Sequence, residues 1–144
     1  MYCHLYLRKG IVFVPTSGKV HRGLHRDIEP VAVVAVSNTG ALHQALLETI
    51  NKGNPPTSYY QPGDAPKPVV LKYASVKTWA AFARDASSWS IKEQGGTYQI
   101  VGYRTHRDGH WEEDPEQRTT LPPRSSLDEV VDRMIAILQE AARK

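Results

Sequence analysis

With 144 residues, 40% of them apolar and 23% charged, the chain has the size and composition of one globular domain spanning 1–144, able to bury a core without disulfides or metals as staples. The longest apolar run, Val31 to Val36, is far too short to cross a bilayer, and Met1-Tyr2-Cys3-His4-Leu5 lacks the basic head and apolar stretch of a secretory signal. A cytosolic protein with no membrane span is therefore expected. Eighteen Lys and Arg against 15 Asp and Glu leave a net charge of +3, a mixed surface whose distribution says more than its sum. Arg8, Lys9, Lys19, Arg22 and Arg26 load the first 26 residues, whereas Glu112, Glu113, Asp114 and Glu116 crowd one later loop. Cys3 is the only cysteine, which excludes an internal disulfide and multi-cysteine metal sites and predicts a small buried hydrophobe in the first strand.

In chain order, residues 2–7 and 11–14 have strand composition around Lys9-Gly10 and predict a hairpin that Pro15 ends. A basic loop, 16–30, leads to Val31–Val36, whose unbroken apolar run predicts a strand covered on both faces and central in the sheet. Leu42, Ala45, Leu46, Thr49 and Ile50 recur at helical spacing between the cap residues Ser37 and Asn38 and the terminating Gly53. Five prolines and Gly63 within 54–68 predict a long loop carrying Tyr59 and Tyr60.

Val76, Trp79, Ala80 and Ala83 predict a second helix from Ser75 as cap, with Leu71 and Tyr73 able to extend it backwards. Gly95-Gly96 then predicts a two-residue turn that pairs Ile91 with Ile100, Glu93 with Tyr98 and Trp89 with Gly102, placing Trp89, Ile91, Tyr98 and Ile100 on one face. Ser126-Leu127-Asp128-Glu129 is a capping box opening a helix with Leu127, Val130, Val131, Met134, Ile135, Leu138 and Ala141 on one stripe. The order βββααββα describes an α+β fold, mainly an antiparallel sheet with packed helices.

The chemical motifs are negative. Ser17-Gly18-Lys19-Val20 lacks the earlier glycine and the following hydroxyl of a phosphate loop, and neither a Gly-x-Gly-x-x-Gly nor a Gly-x-Ser-x-Gly occurs. His106-Arg107-Asp108 imitates a kinase catalytic loop in a chain too short for a kinase. His21 with His25 and His106 with His110 have zinc-like spacing, but Gly23 and Gly109 inside the pairs argue for loops, where hydrogen-bonded histidines are the expectation. The same imidazoles could serve a metal-free ribonuclease, although no third group is visible to position them. No enzyme activity, metal or cofactor is predicted. Tyr2, His4, Tyr6 and Arg8 alternate on one face of the first strand, which suits either RNA stacking or a mixed solvent face. Trp79 and Trp89 fall on predicted core faces, whereas Trp111 lies among carboxylates, as an exposed partner anchor would.

Several separated stretches together resemble the immunity proteins of contact-dependent growth inhibition systems. They are the hairpin ending Ile11-Val12-Phe13-Val14-Pro15, the segment Gly40-Ala41-Leu42-His43-Gln44-Ala45-Leu46-Leu47-Glu48, then Pro68-Val69-Val70-Leu71, Val76-Lys77-Thr78-Trp79-Ala80-Ala81-Phe82 before the Trp89 hairpin, and Leu127-Asp128-Glu129-Val130-Val131. The resemblance implies a small cytosolic, non-enzymatic protein without cofactors that occludes one cognate toxin domain, often a nuclease acting on tRNA. It transfers no individual functional residue. Aromatic anchors and charge complementarity dominate such interfaces, which makes Tyr59, Tyr60, Trp111, Glu112, Glu113, Asp114 and Glu116 the predicted contacts. The alternative reading is a small RNA-binding or accessory protein that uses the basic N-terminal region.

Overall fold

The computed structural model describes residues 1–58, 67–106 and 110–144, and of Arg22 only the main chain. The predicted class holds: among the described residues six antiparallel strands form one sheet with four α-helices packed against it. The strands are β1 (Tyr2–Arg8), β2 (Ile11–Lys19), β3 (His25–Ala35), β4 (Ala86–Gln94), β5 (Thr97–Thr105) and β6 (Trp111–Thr120), in the spatial order β3-β2-β1-β4-β5-β6. The helices are α1 (Thr39–Lys52), α2 (Val70–Tyr73), α3 (Trp79–Arg84) and α4 (Leu127–Ala142). No helix is long and apolar enough to cross a membrane among the described residues.

Alternation along the central strands divides the sheet into two faces. Cys3, Leu5 and Leu7 of β1, Trp89 and Ile91 of β4 and Ile100 of β5 meet Leu42, Leu46 and Ile50 of α1 and Val131, Met134 and Leu138 of α4 in the main core. The amphipathic stripes forecast for α1 and α4 face this core, and the Asn38 cap and the Ser126–Glu129 capping box both form. Gly95 and Gly96 take φ of 61° and 79°, as a tight hairpin turn between right-twisted strands requires, and the β4–β5 register is the one their spacing predicts. On the opposite face Tyr6 and Phe13 meet Val70, Leu71 and Phe82 of the short helices in a second, smaller core.

Four expectations need correction. The strand buried on both faces is β2, whose residues Val12 to Gly18 are all buried, while β3 is an edge strand with Val33 45% exposed. The segment read as the basic loop 16–30 is mostly ladder: β2 runs through Pro15 with a register shift there, and β3 starts at His25. The helix expected from Ser75 is two short ones. Ser75 has φ of 58°, outside helical space, and Thr78 caps α3 by accepting from the Ala81 N–H. The acidic loop is strand β6, bulged so that Val101 faces Arg118 and Tyr103 faces Glu113.

Candidate functional site

Past Phe13, the β2 strand parts from β1, for the β1–β2 ladder covers only Tyr6, Leu7 and Arg8. Asn54, just beyond α1, fills the opening. Its Oδ1 accepts from the Tyr2 N–H at 3.1 Å, and its Nδ2 donates to the carbonyls of Tyr2 and Ser17 at 2.7 and 2.9 Å. The chain then runs beside β2, with Lys19 N–H donating to Pro55 O and Thr57 N–H to Lys19 O. Gly18 permits the approach, since a Cβ there would stand 2.7 Å from the Thr57 methyl. Residues 54–58 are thus ordered against the sheet, while Tyr59 and Tyr60 lie outside the described residues.

The face of β1 that carries Tyr2, His4, Tyr6 and Arg8 is turned inward rather than to solvent. Asp27 of β3 accepts from the Tyr6 hydroxyl and meets His4 Nδ1 at 3.3 Å, and His4 Nε2 lies 2.5 Å from Ser88 Oγ. Tyr2 stacks on His25 and its hydroxyl meets that of Tyr103, which also contacts Ser90. Burial pushes the phenols of Tyr2 and Tyr6 well up, so both stay protonated and can donate; burial likewise lowers His25. Carboxylate, imidazole and hydroxyl stand in the order of a nucleophilic triad. Ser88, however, is 2% exposed and lies within the β1–β4 ladder opposite Tyr6, so its hydroxyl is out of reach of a substrate carbonyl. The network ties β3, β1, β4 and β5 together and shapes the floor of what lies above it.

Above it, between the first half of β3 and the α2–α3 segment, opens a cleft of about 1070 Å³. Tyr6, Val20, Leu24, Ile28, Val76 and Trp79 give it apolar walls, with Leu24 56% exposed. Among the described residues, Arg26, Lys67, Lys72 and Lys77 stand against two carboxylates, Asp27 and Glu29. Asp27 is taken up by Tyr6 and His4, and Glu29 pairs with Lys72, whose ammonium holds the Glu29 carboxyl below its usual range. Lys67 and Lys77 meet no carboxylate among the described residues, so the cleft is apolar with a cationic margin. Sequence reasoning missed it because its walls come from three stretches far apart in the chain, at Tyr6, 20–29 and 67–79.

Trp79 links the cleft to β6, its ring 5.7 Å from that of Trp111. Trp111 is half-buried against Tyr6 and Trp79, not the exposed anchor expected, and its indole N–H is buried without a hydrogen-bond partner among the described residues. The acidic run does not act as a block either. Glu112 pairs with Arg104 and His106, and Glu113 with Lys92 and Arg118. His106 and then Arg104 hold the Glu112 carboxyl low, and Lys92 does the same for Glu113. Asp114, lowered by hydrogen bonds from Gln117 and the Glu116 N–H, and Glu116 meet no cation within ion-pair distance among the described residues. The sheet thus carries a cationic margin toward β3, a Trp79–Trp111 pair, and residual negative charge on β6.

Over 98% of this chain and 95% of the other, the structure is similar to a chain of the CdiA-CT/CdiI toxin and immunity complex from Yersinia pseudotuberculosis, with a TM-score of 0.65 and 13% sequence identity. The shared property is the fold. A protein of unknown function from Neisseria meningitidis is similar over 97% of this chain and 93% of its own, with a TM-score of 0.67 and 13% identity. No family model matches the sequence, and no curated protein does.

Proposed function

We propose that this chain is an immunity protein that binds one cognate toxin domain and blocks it by occupying its working surface, without catalysis of its own. The observation that carries the reading is the likeness, over nearly the full length, to a chain of a toxin and immunity complex. The cleft adds a place to dock. It offers apolar walls for an inserted side chain and, around it, lysines that meet no carboxylate among the described residues, the two ingredients of a selective interface. The toxin would cover about 800 Å2 here, enough to reach from the cleft over Trp79 and Trp111 to β6. Trp111, Glu112, Glu113, Asp114 and Glu116 form the second half of the proposed contact, with Asp114 and Glu116 carrying most of its uncompensated charge. Tyr59 and Tyr60 remain proposed contacts as well.

A nuclease toxin, the finer expectation, fits the acidic half: a basic nucleic-acid cleft would meet β6, while acidic residues at its rim meet the lysines. The test is co-expression of the chain with the toxin domain encoded beside it, scoring growth rescue and a one-to-one complex. Rescue with a complex is the expected result; a toxin that neither binds nor is neutralised refutes the reading. Plain RNA binding through the N-terminal region finds less support, because Tyr2, His4 and Tyr6 spend their rings and polar atoms inside the protein.

A further inference from the structure

The β5–β6 connection brings three metal-ligating groups to one place outside the cleft. The His106 N–H donates to the His110 carbonyl at 2.8 Å, which draws the ends of the two strands together. The two imidazoles consequently stack, with ring centroids 4.4 Å apart and planes 23° from parallel. Glu112, two residues on, reaches back to His106 Nε2, and one ligand atom from each of the three residues lies within 4.8 Å of the others. Arg104 meets the same carboxylate oxygen, Glu112 Oε1, with Nε and Nη2 each at 3.0 Å.

We infer that His106, His110 and Glu112 form a binding site for a late first-row divalent cation of the zinc class. Two imidazoles and one carboxylate are the donor set such ions take, whereas magnesium and calcium take oxygen ligands. Bonds of about 2.0–2.2 Å to each donor would require the three to close in on a common centre, a small movement for side chains that are partly exposed. The ion would stand between His106, His110 and Glu112, held by these three donors among the described residues. Arg104 need not leave, for a carboxylate offers about four lone-pair positions on its two oxygens, and an outer hydrogen bond orients a ligating carboxylate. The histidine spacing alone could not reveal this, since the third ligand is supplied by the first residues of β6. Binding would tie β5 to β6 beside Trp111, independently of whether a toxin binds.

The experiment is a zinc titration of the full chain at neutral pH against a competing chromophoric chelator, repeated with cobalt to read coordination from its visible spectrum. One equivalent should bind. His106→Ala, His110→Ala and Glu112→Ala should each weaken binding by at least about tenfold, the loss that even an outer-sphere partner commonly produces. His43→Ala removes an imidazole held between two carboxylates, Asp128 and Asp132, and should leave binding unchanged. Circular dichroism of each variant separates lost ligation from lost folding. Absence of binding by the intact chain, or binding untouched by the three substitutions in folded protein, overturns the inference.

Discussion

Asn54→Ala tests whether one side chain substitutes for the missing half of the β1–β2 ladder. Asn54 supplies one acceptor and two donated bonds to the main chain of Tyr2 and Ser17, all in half-buried surroundings. Each such bond contributes about 0.5–1.5 kcal/mol net, and the orphaned main-chain groups are only partly open to water, which places the loss near 2–3 kcal/mol. Asn54→Asp is the sharper variant. It keeps the acceptor for the Tyr2 N–H but turns an anionic oxygen toward two carbonyls, so at pH 7 it should be no more stable than the alanine variant. Urea unfolding followed by tryptophan fluorescence measures both, with the denaturant slope unchanged. An alanine variant within about 0.5 kcal/mol of the parent, or an aspartate variant clearly above alanine, would refute the staple.

Burial pushes the Cys3 thiol up to about 12, so iodoacetamide at pH 8 should leave it unmodified in the folded protein and alkylate it in denaturant; fast native labelling would contradict its place in the core. The Glu113 carboxyl is lower folded than its unfolded value of 4.5, mainly through Lys92, so its contribution is present above that pH and lost as pH falls through the folded value. Glu113→Gln should thus cost up to about 1 kcal/mol at pH 7, as for a partly exposed pair, and nothing once both states are protonated; equal loss at both pH values would point to packing instead. Lys67→Glu with Lys77→Glu should leave stability unchanged but slow association with the toxin in a salt-dependent way, and unchanged kinetics would remove the cleft margin from the interface.

The parts of the fold legible in sequence are those fixed by local chemistry. The Gly95-Gly96 turn sets its own register, and Ser126 with Glu129 marks the start of α4 whatever the rest of the chain does. Strand β3 misled because Ala32 and Val34 pack toward the main core and Val31 toward the second one, so its apolar run reads as central although Val33 is exposed at an edge. Strand β6 carries almost no apolar alternation. An edge strand can be polar, and Glu112 and Glu113 are matched by Lys92, Arg104 and Arg118 from positions that sequence distance hides. The site was legible only at its corners. Trp111 and the carboxylates are visible in sequence, but Asp27 between His4 and Tyr6, and the lysines facing β3, meet only through the fold.

The proposed toxin binding is tested most directly by the affinity of the purified chain for a toxin domain encoded beside it, taken with Trp79→Ala and Asp114→Lys/Glu116→Lys alongside the parent. A one-to-one complex of nanomolar strength or tighter that restores growth is expected, with faster dissociation for Trp79→Ala and slower association for the charge reversals. No detectable complex at micromolar concentration, with the toxin's activity intact, would contradict it.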